Sequence, residues 1–312
     1  MIADRRQDFE ATLIRTAEAR GAEAGAALQR ASLWRDAVYR FSKNRGALIA
    51  AVGFLVMIGF VYITPWVDSS SPYDVDFGKA YLPLSWAHPF GTDEFGRDLF
   101  VRTALGGRVS IEIGFVATFA IMVVGILYGA ISGFAGGWID NGMMRFLDAL
   151  YGLPYLPFAI ITLAIFGTVS FWTMVVALTV ASWFTTARVM RGQIISLKEN
   201  DYVRAARAVG ARWYRVLFRH LLPNTLGVII IFVFLELPGV VLGEAFLSFL
   251  GLGINPPKAS WGTLAQDGYL SYQSHPYIIV VPSLAIAWLI LSAFFVADGL
   301  RDALDPRTRE NF

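Results

Sequence analysis

Few residues in this 312-residue chain are of types that do chemistry. It has no cysteine, which removes disulfides, iron–sulfur ligation and thiol catalysis. Its three histidines, His88, His220 and His275, are far apart and share no ligand spacing, so no zinc or haem site is expected. The glycine-bearing stretch 91–97 lacks the Gly-x4-Gly-Lys-Ser/Thr pattern of a phosphate loop, and no Ser/His/Asp signature of a hydrolase is present. What remains is two carboxylates, Glu236 and Glu244, inside a long apolar stretch, and a basic, alanine-rich hairpin, residues 201–224. The expectation is a chain that catalyses nothing, holds no metal or cofactor and binds no nucleic acid.

The segments around these residues define the class. The chain is 56% hydrophobic and 16% charged, with a mean hydropathy of +0.54, outside the usual range for a soluble globule. Gly46 to Val67, Ile113 to Ile139, Ala149 to Ala187 and Pro276 to Ala297 contain no charged side chain. Each is long enough to cross a hydrocarbon core about 30 Å thick, which takes about 20 helical residues. The third run is nearly twice that length and must fold back, with Gly167-Thr168-Val169-Ser170 as the turn. The chain therefore reads as an all-α polytopic membrane protein with six transmembrane helices, at about 47–67, 109–134, 147–166, 171–188, 224–250 and 277–298. A segment 1–46 precedes this domain, a loop 189–223 interrupts it and a tail 299–312 follows.

Nine of the 26 Lys and Arg precede residue 46 and three follow residue 298, whereas the 68–108 loop holds four and the 251–276 loop one. The positive-inside rule places both termini and the 189–223 loop in the cytoplasm. The first 45 residues lack the apolar core and cleavage site of a signal peptide. Trp34, Tyr39 and Phe41 alternate with Arg35, Arg40 and Lys43, which suits either an interfacial helix or a plain basic anchor.

In the hairpin, Asn200 or Asp201 can cap a short helix containing Ala205, Ala206 and Ala208, which Gly210 ends. An amphipathic stretch from Trp213 follows and stops at Pro223. Small side chains let a partner's backbone approach, and Arg204 and Arg207 offer forked donors. In lipid, Glu236 is costly and either faces a water-filled path at a kink near Pro238 or is tied into the structure; Glu244 is expected to bind a neighbouring helix or loop. Pro154 and Pro157 can bend the third span, as a gate would require. Gly125, Gly129 and Gly133 share one face of the second span and favour close helix packing within the chain. Asp148 and Glu112 fall at span ends, and Leu300 and Leu304 share one side of a short tail helix ending before Pro306.

The core Ala205-Ala206-x3-Gly210, with Leu222-Pro223 at the next span, resembles the "EAA" loop of binding-protein-dependent ABC importer permeases. His88-Pro-Phe-Gly91-Thr-Asp-Glu-Phe-Gly96-Arg-Asp98, the 244–253 stretch Glu-Ala-Phe-Leu-Ser-Phe-Leu-Gly-Leu-Gly, Pro256-Pro257, Ser260-Trp-Gly262 and the 298–307 stretch are similar to the C-type permeases of dipeptide and oligopeptide importers. The likeness runs collinearly over about residues 46–308. In one departure, Arg204 stands where the loop's glutamate would, so the charge contributed there is in doubt while Asp201 or a neighbour can supply an acid.

The resemblance implies a type I importer permease in the bacterial inner membrane. Its expected partners are a homologous second permease, two ATPase domains that bind ATP and Mg, an extracytoplasmic solute-binding protein and membrane lipid. It assigns ATPase coupling to Asp201, Tyr202, Arg204, Ala205, Ala206, Ala208 and Gly210, with Glu236 and Pro154 as pathway or gate candidates. Related importers carry nickel chelates, glutathione, haem or antimicrobial peptides. The alternative from another class is an ion-gradient-driven transporter centred on Glu236, but the sequence lacks the inverted repeats that class displays.

Overall fold

The computed structural model of the chain describes residues 35–67 and 71–304. Expectations for residues 1–30, Trp34 and the tail beyond Leu304 lie outside them. Among the described residues there are helices and a single β-bridge, between Thr92 and Asp98. In chain order these are α1 (35–43), α2 (Arg45–Val67), α3 (Leu99–Ala135), α4 (Gly137–Tyr151), α5 (Tyr155–Phe166) and α6 (Phe171–Lys198). They continue with α7 (Asp201–Ala208), α8 (Trp213–Arg215), a wide π turn (Val216–Leu221), α9 (Leu222–Asn224), α10 (Leu226–Leu247), α11 (Trp261–Leu270) and α12 (Tyr277–Leu304). One short 3₁₀ turn, Phe77–Lys79, lies before α3.

Five helices, α2, α3, α6, α10 with its extension to Leu252, and α12, are each long and apolar enough to span a bilayer. α4 and α5 together are long and apolar enough to make a sixth, with a bend of 92° between them. The third span, expected over 147–166 with a bend at its prolines, is instead broken at 152–154, and its first helix begins at Gly137. Pro154 has no N–H to give and its ring keeps Leu153 out of helical geometry, so the helix must end and restart. Pro157 lies in the first turn of α5, where a missing N–H costs little.

Other boundaries also differ from the sequence expectation, and α6 runs on to Lys198, ten residues past the expected end of its span at 188. α3 begins ten residues before the expected span, at Leu99, because the Asp98 carboxylate accepts from the N–H groups of Phe100 (2.7 Å) and Val101 (3.3 Å). The tail is not a separate helix, since α12 runs unbroken to Leu304. Pro223 does not end the hairpin's second half, because the preceding π turn relaxes the ladder where proline cannot donate. The expected turn between α5 and α6 is present: Gly167 takes a left-handed φ of 67°, and Ser170 forms a reciprocal cap with Thr173.

The chain divides into two compact units, residues 49–297 and a smaller one of the N-terminal stretch to Leu48 with Asp298 onward. In the larger, Ile113, Ala117, Met174, Leu178 and Val240 form a buried cluster between α3, α6 and α10. A second cluster joins Phe54 and Val61 of α2 to Trp261, Leu289 and Ala293. Association of helices in lipid relies on such packing rather than on exclusion of water. The three glycines of α3 admit the α6 backbone: a Cβ at Gly125 would lie 2.7 Å from Thr186, one at Gly133 2.7 Å from the Arg191 carbonyl, and Gly129 sits on the Ala187 carbonyl. Arg191 then clamps α4, donating to both Asp140 oxygens at 2.6 Å. In the smaller unit Gly299 lies against Ala47 and Phe41, and Lys43 covers the Tyr39 ring at 5.4 Å.

Candidate functional site

α7 follows α6 after a two-residue break, with Asn200 at its N-cap position. The cap makes no side-chain hydrogen bond, so neither Asn200 nor Asp201 plays the capping role expected of them. The helix is held instead by a single buried side chain. Val203 is fully buried (0% exposed) among Ala130 of α3, Met190 and Ile194 of α6, and Val216, Leu217 and Leu221 of the π turn. Burying one valine is worth about 1.5–3 kcal/mol. Movement of α7 is thereby tied to the neighbouring ends of α3 and α6 and to the segment leading into α10.

Polar contacts brace the same arrangement. Asn224, just before α10, donates to the Tyr202 hydroxyl at 3.2 Å and to the His220 carbonyl at 2.7 Å. Lys198, at the end of α6, donates to the Gly133 carbonyl at 3.0 Å. Arg207 lies 5.2 Å from the centre of the Phe134 ring. The chain reverses after α7 through Gly210, whose φ of 83° is open to glycine and strained for a side chain. Three N–H groups close the end, Val209 to Ala205, Gly210 to Arg207 and Ala211 to Ala206, at 3.2, 3.0 and 3.1 Å.

The outward side of this handle carries the expected residues. Asp201, Arg204, Ala205, Ala208 and Gly210 are exposed, Tyr202 is partly so, and Ala206 is half-buried. Val209, a β-branched hydrophobe not among the expected residues, is 86% exposed at the apex, uncovered by any of the described residues. Its adjacency to Gly210 in an otherwise polar stretch is the signal that points to it. Arg204 makes a long ion pair, 3.7 Å, with exposed Glu199 of the preceding turn.

The other conspicuous residues form two further groups. Glu244 is wholly buried and accepts from Ser110 of α3 at 2.8 Å and Ser248 at 2.7 Å; Ser110 in turn receives the Trp261 backbone N–H at 3.1 Å. It joins α3, α10 and α11, as its expected neighbour-binding role requires. In the 72–98 segment, His88 pairs with Asp98 (2.7 Å) and Asp93 with Arg97 (2.7 Å) and Arg102 (3.3 Å), while Tyr277 donates to the Leu82 or Thr92 carbonyl, each at 3.1 Å. Burial holds the nearby Asp267 carboxyl above its usual range, and Arg102 opposes that shift. These charges are satisfied by one another and make a folded cap. Asp148 pairs with Arg188 at 2.7 Å and Glu112 with Arg108 at 3.0 Å.

Glu236 stands apart from both groups. It is half-buried midway along α10, beside Thr186 of α6 and within electrostatic range of Tyr155 at the start of α5. Pro154 sits at the break just before Tyr155. The structure therefore brings Glu236 and Pro154 into one neighbourhood and leaves the α7 residues in another. Among the described residues no group of three His, Cys, Asp or Glu gathers as a metal site would require.

An all-helical bundle of this order, with a short exposed helix projecting between two spans, defines a multi-pass membrane permease of the type I ABC importer fold. The chain belongs to the family of binding-protein-dependent transport system inner membrane components, whose pattern matches residues 125–310. Residues 32–83 match the N-terminal TM domain of oligopeptide transport permease C. The oligopeptide transport system permease protein OppC of Haemophilus influenzae is 39% identical over 284 residues, covering 90% of this chain and 91% of that protein. The dipeptide transport system permease protein DppC of Bacillus subtilis is 40% identical over 279 residues, covering 89% and 87%. An inward-facing structure of the MetNI methionine ABC transporter superposes with a TM-score of 0.50 at 19% identity, over 64% of this chain and 94% of that one, a likeness of fold.

Proposed function

We propose that this chain is one of two permease subunits of an ATP-driven importer for dipeptides or oligopeptides in the bacterial inner membrane, with both termini cytoplasmic. It forms half of the translocation path and catalyses nothing; partner ATPase subunits bind ATP and Mg and hydrolyse the nucleotide. An extracytoplasmic binding protein delivers the peptide, and lipid surrounds the bundle. The peptide assignment draws on relatives named for oligopeptide and dipeptide transport that are about as long as this chain.

The observation that carries the coupling role is the geometry of α7, an exposed small-residue surface fixed to α3, α6 and the root of α10 through buried Val203. In this reading Asp201, Tyr202, Arg204, Ala205, Ala206, Ala208 and Gly210 meet the ATPase. Closure of the ATPases displaces α7, and α6 and α10 follow because their contacts differ between the two states. Glu236 and Pro154 belong to the path or its gate, and the α3 glycines serve packing within the subunit.

The test is peptide-stimulated ATPase activity of the reconstituted complex with Ala206→Glu or Gly210→Arg. Both variants should insert normally yet lose stimulation. Full transport by the isolated chain, driven by an ion gradient without ATPase partners, would replace this reading with a secondary transporter.

A further inference from the structure

The carboxylate of Glu236 has a hydroxyl neighbour, Thr186, but no basic side chain beside it among the described residues. Four other acids in or near the spans have partners: Glu244 has two serines, Asp140 has Arg191, Asp148 has Arg188 and Glu112 has Arg108. Among the described residues no lysine, arginine or histidine forms an ion pair with Glu236. An ionisable group without a counter-charge at that depth is costly and marks a site where a cation or a proton arrives.

A second, independent feature lies beside it. Residues 152–154 fall outside helix between α4 and α5 and are exposed in the subunit. The Tyr151 hydroxyl donates to Thr185 at 3.0 Å, and Thr185 lies fourteen residues into α6. At about 1.5 Å per residue that is about 21 Å from the outer end of α6, within a hydrocarbon core about 30 Å thick. Broken backbone at membrane depth is not left facing lipid; it lines a water-filled cavity or another protein. Short helices that begin inside a membrane mark binding sites in transporters of several kinds.

The two features meet at Tyr155. This residue opens α5 immediately after the break, neighbours Ser182 and Glu236, and extends its hydroxyl into space that the absent side chain of Gly243 leaves on α10. Glu236 thus has the hydroxyls of Thr186 and Tyr155 near it, and the unwound turn with its carbonyls directly precedes Tyr155. These are acceptors. A single carboxylate with hydroxyl and carbonyl oxygens matches the three N–H donors of a primary ammonium, and it lacks the second carboxylate or imidazole that would hold a metal firmly.

We propose that Glu236, Tyr155, Thr186 and the broken backbone at 152–154 form a subsite for a primary ammonium group, which under the peptide reading is the amino terminus of the cargo in transit. The proposal rests on that reading only for the identity of the cargo. The carboxylate holds the ammonium while the peptide is between gates, and movement of α10 with α7 carries Glu236 away from Tyr155 and releases it.

The test uses the complete importer in proteoliposomes, with import of trialanine measured first. Dicyclohexylcarbodiimide, which activates carboxyls in membranes, is then added with trialanine amide, N-acetyl trialanine amide or glycine methyl ester, and adducts are mapped by mass spectrometry. The free amines should become amide-linked to Glu236, whereas the acetylated peptide should not, and Glu236→Gln should abolish the adduct. Glu236→Gln should also slow import about tenfold, the loss of one charged hydrogen bond, with Glu236→Asp partly restoring import. Linkage of Glu236 to a lysine of the second permease, or modification of Glu236 with no amine adduct from either free amine, would overturn the subsite. Coupling of glycine methyl ester in a complex that does not import trialanine would leave the ammonium site standing and refute the peptide cargo.

Discussion

Replacing Val203 by alanine isolates the mechanical element of the account, because it leaves every exposed residue of α7 in place. The side chain is fully buried against the ends of α3 and α6 and the π turn. Loss of two buried methyl groups costs about 2 kcal/mol, counting both transfer and the cavity left behind. That energy corresponds to about a 30-fold rise in the population of α7 detached from the bundle. Two measurements on the reconstituted complex read it: hydrogen exchange of the amides in residues 201–209, and peptide imported per ATP hydrolysed. Exchange should accelerate by about that factor, the ATPase subunits should remain bound, and the transport ratio should fall as hydrolysis continues without movement. Faster exchange with an unchanged ratio would refute transmission through this anchor.

Other substitutions address the packing. Gly129→Leu should lower the thermal stability of the detergent-solubilised protein, because its side chain meets the Ala187 carbonyl, at a cost of about 1–3 kcal/mol, whereas Gly142→Ala, with open space around it, should not. Glu244→Ala leaves the Ser110 and Ser248 hydroxyls without their acceptor and should destabilise the junction of α3, α10 and α11 by about 1–3 kcal/mol per orphaned group, with Glu244→Gln milder; differential scanning fluorimetry compares them. Arg191→Lys keeps the charge but loses the two-pronged contact with Asp140, and protease protection of the α4 segment should weaken more than for Lys198→Arg.

The bilayer, more than the helices, was legible in the sequence. Runs without charge located the crossings because charge is excluded from hydrocarbon, yet Arg102 and Arg108 hid the first turns of α3, which stand outside the core and are announced only by the Asp98 cap. Pro154 was visible as a bend, but not as a 92° break, since proline fixes where a helix yields and tertiary contacts such as Arg188–Asp148 and Tyr151–Thr185 fix how far. The α7 residues could be read from spacing and resemblance. Val203, which anchors them, could not, because one valine in an amphipathic octet does not reveal which neighbours bury it. Tyr155 and Thr186 escaped for a related reason: the rotation of nearly uniform apolar helices leaves no periodic trace.

The chain has no native cysteine, so a single introduced thiol reports its surroundings without interference. Ala206→Cys, on the half-buried side of α7, is the most direct probe of where that helix works. In intact membranes it should form a disulfide with a cysteine scanned through the ATPase surface, with a yield that changes when nucleotide is bound, and an impermeant maleimide added from outside should not reach it. Labelling from outside, or no crosslink at any ATPase position in an active complex, would contradict the account.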